Sequence, residues 1–249
     1  MEKIGTFHFL TESYLLDFRG RLTLPMIGNY LLHCAAEHAG QKGFGFDDMS
    51  ERRCAWVLSR MAVEMTRYPG MSEQVAVSTW VEEAGRWFTG RCFALTGPCG
   101  EPIGYARSIW AAIDLETRKP TDLGALGSLQ AYVAAGEPCP IDKPGKIVPA
   151  ETGTPAESYR VRYSDLDVNG HFNSIKYIEH ILNLFDLDLF REKEIRRFEI
   201  NYIAEGRYGM ELSLHKKELA PGRYAAAVCD PEGKAVCRAA VAWGQPAAR

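Results

Sequence analysis

What most limits the fold of this chain is an order of elements that occurs twice. Residues 7–18 read as a strand, and a helix follows. Thr23 is a suitable N-cap for it, Pro25 sits in its first turn, and Gly40 marks its end. Ile27, Tyr30, Leu31, Cys34, Ala35 and His38 recur at i, i+3, i+4, i+7, i+8 and i+11, an apolar stripe of helical period. Strand-like runs come next at 56–65, 75–82, 87–95 and 105–115, divided by turn clusters such as Tyr68-Pro69-Gly70. Residues 137–155 hold five of the 13 prolines and little periodicity, the composition of a linker. Then the order returns. A strand at 159–163 precedes a helix at 173–185 with Ile175, Ile178, Leu182 and Phe185 on one face. Strands at 197–204, 211–217, 224–229 and 236–243 complete the second pass.

Short echoes accompany the repeated order. Glu-Ser-Tyr stands at 12–14 and at 157–159, and Arg-Tyr at 67–68 and 207–208, separations of 145 and 140 residues. With the matching element order they indicate a duplication. One helix per four or five strands, without βαβ alternation, argues against a doubly wound sheet. It suits an antiparallel sheet curled around a single buried helix, the hotdog arrangement, here twice. The expected fold class is therefore α+β, a tandem hotdog. The expected boundaries are 1–125 for the N-terminal copy, 126–155 for a Pro/Gly-rich linker and 156–249 for the C-terminal copy.

Composition narrows the functional classes. With 249 residues, 46% apolar and 24% charged, the chain has the balance of a globular protein that needs no staples. A net charge of −3 excludes nucleic-acid binding by overall electrostatics, so docking to an acidic partner needs a local basic patch. Seven cysteines, an odd number without a C-x-x-C pair, read as reduced thiols, and a cytoplasmic setting is expected. No run approaches the ~20 apolar residues of a membrane span, and residues 1–8 carry no signal pattern. His33 and His38 share the first helix but are five apart, without the i, i+4 spacing of a helical ligand pair, so no metal is expected. His8, His180 and His215 read as surface or strand-edge residues.

One stretch concentrates chemistry. In Asp165-Leu-Asp167-Val-Asn169-Gly-His171-Phe-Asn173, acids, amides and an imidazole alternate with apolar or small residues. If the segment is extended, all five polar side chains project to one side. A row of acids on a buried face costs free energy, and a solvated loop has no need of Leu166, Val168 and Phe172 opposite them. Asp165 also suits a turn, and Asn173 a helix cap or a substrate contact. The segment ends at a helix N-terminus, whose partial positive charge favours neutral imidazole. His171 is then able to accept and return a proton near neutral pH, while N–H groups of the first turn polarise a carbonyl. Acyl transfer requires both.

These residues, followed by Ile175-Lys-Tyr-Ile-Glu179, resemble the second-half motif of the acyl-acyl-carrier-protein thioesterases of plant plastids and bacteria. The first half agrees in Trp56-Val-Leu-Ser-Arg-Met61, Val63-Glu64, Arg67-Tyr-Pro69, Thr79-Trp-Val81, Ala106-Arg-Ser-Ile-Trp110 and Asp114-Leu-Glu-Thr-Arg118. The similarity runs from about residue 6 to 217. It implies a double hotdog and hydrolysis of the thioester joining a fatty acyl chain to carrier-protein phosphopantetheine, without cofactor. It also implies that Asp167, Asn169 and His171 are catalytic, joined by Glu205, 34 residues after the histidine.

In plant members a cysteine follows that glutamate and was proposed as a nucleophile; here the position is Gly206, and no cysteine lies between 140 and 228. Direct attack by water is expected instead, with Glu205 or Asp167 as base, Asn169 and backbone N–H groups on the carbonyl, and His171 delivering a proton to the thiolate. Pairing Arg67 with Arg207 makes Met65 the counterpart of Glu205, and residues 18–27 the counterpart of the catalytic stretch, with no acid–amide–imidazole set. The resemblance gives that half the acyl pocket, with Met26, Ile27, Leu31, Trp56 and Met65 as candidate walls. The partner implied is an acidic carrier protein. Basic groups that suit it are Arg191, Lys193, Arg196 and Arg197, then Lys216 and Lys217, then Arg160, Arg162 and Lys176. A monomer or homodimer is expected. The alternatives are an acyl-CoA thioesterase of the same fold, a hotdog enoyl hydratase and a non-catalytic acyl-binding module.

Overall fold

A computed structural model describes residues 2–126, 128–150 and 154–246, and the chain divides into two compact units, Met1–Pro144 and Gly145–Arg249. In the first unit β1 (Ile4–Leu10) leads to α1 (Leu24–Gly40) and the short α2 (Phe46–Glu51). β2 (Cys54–Met65), β3 (Gln74–Ala84), β4 (Thr89–Thr96) and β5 (Pro102–Asp114) follow. The strands pair antiparallel in the order β1-β3-β4-β5-β2. Thr23 caps α1 by accepting the Met26 N–H at 3.3 Å, and Pro25 falls where a missing N–H costs nothing. The stripe Ile27, Leu31 and Cys34 is fully buried. Each such aliphatic side chain contributes about 1.5–3 kcal/mol through burial.

The second unit contains β6 (Glu157–Arg160), α3 (Ser174–Asn183), α4 (Leu187–Glu192), β7 (Glu194–Tyr202), β8 (Glu211–Ala220), β9 (Arg223–Cys229) and β10 (Ala235–Gly244). Its order is β6-β8-β9-β10-β7, all antiparallel. Replacing β1, β3, β4, β5 and β2 by β6, β8, β9, β10 and β7 converts one sheet order into the other. Registers agree as well: Phe9 faces Val75 in the first unit, and Tyr159 faces Leu212 in the second. The chain is thus a double hotdog.

Several elements depart from the sequence reading. The opening strands stop at Leu10 and Arg160, because 3-10 turns at Ser13–Leu15 and Tyr163–Asp165 redirect the chain towards each helix. α2 and α4 escape periodicity because six residues are under two helical turns. Within the stretch expected as linker, Leu126 and Leu129 are buried in a cluster with Phe44, Met49, Val81 and Leu123 of the first unit. Residues 127 and 151–153 of that stretch lie outside the described residues. Among the described residues no helix is long and apolar enough to cross a membrane.

Candidate active site

Between the 3-10 turn and α3 the chain makes a small hairpin. Leu166 bridges Phe172, the Asn173 N–H donates to the Asp165 carbonyl at 2.8 Å, and the Asp167 N–H donates to the His171 carbonyl at 2.8 Å. One oxygen of Asp167 accepts the N–H groups of Asn169 (2.9 Å) and His171 (3.0 Å). Gly170 closes the loop at φ +75°, a left-handed conformation that side chains resist. The alternation of polar and apolar residues therefore reflects a turn rather than an extended strand. Val168, expected on an apolar side, is 92% exposed at the loop tip. Asp165 turns the other way and lies under the loop, 4% exposed. Asn173 accepts the Ile175 N–H at 2.8 Å and caps α3.

The segment after β7 completes the site. The Phe172 N–H donates to the Gly206 carbonyl at 2.8 Å, and His171 forms a bridge with Arg207. This lays Glu205 against the imidazole, with His171 Nε2 3.2 Å from Glu205 Oε2 and both side chains about one-third exposed. Arg207 approaches the same carboxylate oxygen at 3.7 Å. Asn169 carries its side-chain amide at the exposed tip of the loop. Of the four residues picked from sequence, His171 and Glu205 are thus in contact, Asp167 is bonded to backbone, and Asn169 stands at the tip. A β-carbon at Gly206 would sit 2.8 Å from Phe172 Cβ and 2.9 Å from the Tyr177 hydroxyl, which accepts the Gly206 N–H at 3.0 Å. No side chain, cysteine included, fits there without displacing that floor.

The first unit contains the same loop without the chemistry. Asp17 accepts the N–H groups of Arg19 (2.8 Å) and Arg21 (3.1 Å), Gly20 has φ +71°, and the Leu22 N–H donates to the Pro69 carbonyl at 2.8 Å. Asp17 therefore matches Asp167, Arg19 matches Asn169, Arg21 matches His171 and Pro69 matches Gly206. The counterpart of Glu205 is Tyr68, not Met65. Thr66 and Arg67 both donate to the Ile103 carbonyl, as Ile203 and Ala204 both donate to that of Val236, which fixes the separation at 137 residues rather than 140. Tyr14, echoed by Tyr159 in sequence, lies in a 3-10 turn, whereas Tyr159 lies in β6 and matches Phe9.

Of the candidate wall residues, Ile27, Leu31 and Met65 are buried, and Met26 is half-buried at the start of α1. Trp56 donates its indole N–H to the Phe44 carbonyl at 2.8 Å. His33 lies edge-on to Phe7 and Phe9. His38 is fully buried and bonded through Nδ1 to Arg91 at 3.0 Å. Burial, with the Arg91 charge beside it, pushes the His38 pKa down to about 4. His180 and His215, expected at the surface, are both enclosed, His180 under the candidate site and His215 on β8. The sequence reading missed Tyr177 and His180. Their positions on the buried face of α3, at i and i+3, were the available signal.

The chain is a double hotdog in which the loop at Asp167, unlike its counterpart at Asp17, brings an imidazole against a carboxylate, an arrangement suited to acid–base chemistry. Comparison with known proteins agrees. The family model for the acyl-ACP thioesterase N-terminal domain matches residues 4–124, and that for the C-terminal domain matches residues 150–245. An acyl-ACP thioesterase crystal structure from Bacteroides thetaiotaomicron is 46% identical, superposes with a TM-score of 0.92, and is covered over 98% of its chain by 97% of this one. A 12:0-ACP thioesterase from Umbellularia californica shares the fold at 23% identity and TM-score 0.84, over 98% of each chain. The chloroplastic palmitoyl-acyl carrier protein thioesterase of Arabidopsis thaliana is 27% identical over 216 residues, 80% of this chain. The chain spans about half (51%) of that relative's length. The chain belongs to the acyl-ACP thioesterase family.

Proposed function

We propose that the protein hydrolyses the thioester of a fatty acyl chain held on the phosphopantetheine of acyl-carrier protein, releasing a free fatty acid and the carrier thiol. The observation that carries this reading is the 3.2 Å contact of His171 Nε2 with Glu205 Oε2, in a member of this family. Water attacks the acyl carbon while Glu205 takes a proton from it. His171 takes that proton from Glu205 across their contact, and as the tetrahedral intermediate collapses the C–S bond breaks and the imidazolium delivers it to the leaving sulfur. The side-chain amide of Asn169 is the donor that stabilises the oxyanion, because Asp167 already engages the N–H groups of Asn169, Gly170 and His171. Asp167 is the lesser candidate for base. Its carboxylate is bonded to backbone in the way Asp17 is in a loop that carries no imidazole, which supports a loop-holding role.

Burial of Ile27, Leu31 and Met65 supports an acyl pocket in the first unit, with Met26 and Trp56 as further walls. Exposed Arg160, Arg162 and Arg207 beside the catalytic loop suit an acidic carrier, with Arg160 and Arg207 held only loosely, 3.6 Å from Glu211 and 3.7 Å from Glu205. Arg191, Arg196 and Arg197 are paired with Asp188, Glu194 and Glu199, which weakens their case for docking. Seven free cysteines support a reducing, cytoplasmic setting.

Steady-state hydrolysis of matched acyl-carrier protein and acyl-CoA substrates tests the reading. A clear preference for the carrier-bound chain in kcat/KM is expected. A strong preference for CoA overturns the substrate class, and hydration of a crotonyl thioester without hydrolysis overturns the reaction.

A further inference from the structure

Under the catalytic loop lies a buried polar set that the hydrolysis does not consume. Asp165 accepts the Tyr159 hydroxyl and the Arg162 N–H, both at 2.7 Å, and lies 4.0 Å from His180 Nε2. The imidazole packs on the Tyr159 ring at 3.9 Å and on Phe172 at 5.7 Å, and its Nδ1 is buried with no hydrogen-bond partner among the described residues. Phe172 in turn joins His171 to the Gly206 carbonyl beside Glu205.

The first unit provides an internal control. Positions 159, 165 and 180 correspond there to Phe9, Leu15 and Tyr30, where Phe9 stacks on Tyr30 at 4.0 Å and Leu15 is buried. That apolar set supports the same loop backbone, so the polar set is not needed to fold the loop. What differs is the hairpin stem. Asn173 donates to the Asp165 carbonyl at 2.8 Å, whereas Thr23 donates to that of Leu15 at 3.3 Å. A buried carboxylate is a costly way to fill a core, and the half without chemistry dispenses with it.

We propose that Tyr159, Asp165 and His180 are positioning residues that pin this stem and so hold His171 in register with Glu205. Reactive groups need placement to within about 0.5 Å, and the loop at Asp17, which carries no imidazole, is under no such demand. The inference rests on the catalytic reading of His171 and Glu205, but one of its readouts does not depend on the substrate.

The test transplants the first unit's own solution, Tyr159→Phe with Asp165→Leu and His180→Tyr. Circular dichroism and thermal melting should report a folded protein. kcat should fall about 100-fold with KM within about 3-fold, the cost of misplacing a reacting group by about 1 Å. Hydrogen exchange at the Phe172 and Asn173 amides should accelerate while interior amides of α3 keep their protection. Asp165→Asn, which keeps an acceptor for Tyr159 and Arg162, should recover most of the loss seen in Asp165→Leu. Unchanged kcat and unchanged exchange in the folded triple variant overturn the proposal. If the triple variant does not fold, the two single Asp165 variants decide: equal kcat in Asn and Leu overturns it, and recovery by Asn alone supports it. Absence of thioester hydrolysis in the wild type would sink the functional reading, leaving the exchange comparison to judge the positioning role.

Discussion

The two loops that begin at Asp17 and Asp167 share a backbone and differ in the polar side chains they carry. Each aspartate accepts two N–H groups, each loop turns at a left-handed glycine, and each leads into a capped helix. At the positions of Asn169, His171 and Glu205, however, the first unit has Arg19, Arg21 and Tyr68. The lesson is that the duplicated fold supplies the loop, while on the proposed reading three substitutions and a polar floor separate a reactive site from a scaffold. It also separates two roles that sequence alone merges. An aspartate holds the loop N–H groups in both copies, as Asp17 and Asp167, whereas the histidine and the glutamate at 171 and 205 have Arg21 and Tyr68 as counterparts.

The sharpest way to break this comparison is to disable equivalent positions in each half. His171→Ala and Glu205→Gln should each lower kcat on acyl-carrier protein by about 10²–10⁴-fold, the range for loss of an acid–base group. Arg21→Ala and Tyr68→Phe should leave it within about two-fold, since neither side chain is an imidazole or a carboxylate. Comparable losses from the two sets would end the idea that only one half reacts.

Buried histidines give a second contrast, read by acid. His38 is fully buried in the first unit with a folded pKa of about 4 against 6.5 for the free group, lowered first by burial and then by Arg91 and Lys42. Because the folded value lies below the unfolded one, its contribution is complete above pH 6.5 and is lost as pH falls towards 4. The loss is on the order of 3 kcal/mol. Melting curves between pH 7 and 4 should show it, and His38→Gln should flatten that part of the profile. An unaltered acid limb in the variant would assign the loss to other groups, His180 first among them, whose pKa burial also lowers.

The smallest expected effect concerns the shared aspartates. Asp17→Ala and Asp167→Ala should destabilise by similar amounts, about 1–2 kcal/mol, because each strands the same pair of loop N–H groups. Chemical denaturation measures that pair of values. Only Asp167→Ala should also lower kcat; if Asp17→Ala lowers it equally, the scaffold assignment fails.

Much of this was legible in the chain. The helical stripe from Ile27 to His38, the cap at Thr23 and the β-strand runs follow from periodicity and local chemistry, which act over a few residues. So did the acid–amide–imidazole stretch and Glu205, the latter through a resemblance rather than through spacing. The register between the copies was not legible. Short echoes such as Arg67-Tyr68 and Arg207-Tyr208 are offset by three residues from the true equivalence, because loops of unequal length shift numbering without disturbing the hydrogen-bond ladder. His180 was misread for a related reason: a polar residue on the buried face of a helix has no local mark until its partner, Asp165, is brought under it from another element.

Sequence by itself determined the repeated element order, the membership of the acyl-ACP thioesterase family and the residues able to do acid–base chemistry, since residue type and local period are properties of the chain. Tertiary structure decided which of them meet. The 3.2 Å approach of Glu205 to His171 and the exclusion of any side chain at Gly206 depend on packing between segments about 30 residues apart, and Asp165 meets His180 only when α3 folds back over the loop. Close packing tolerates one arrangement of such segments, and no local pattern encodes it.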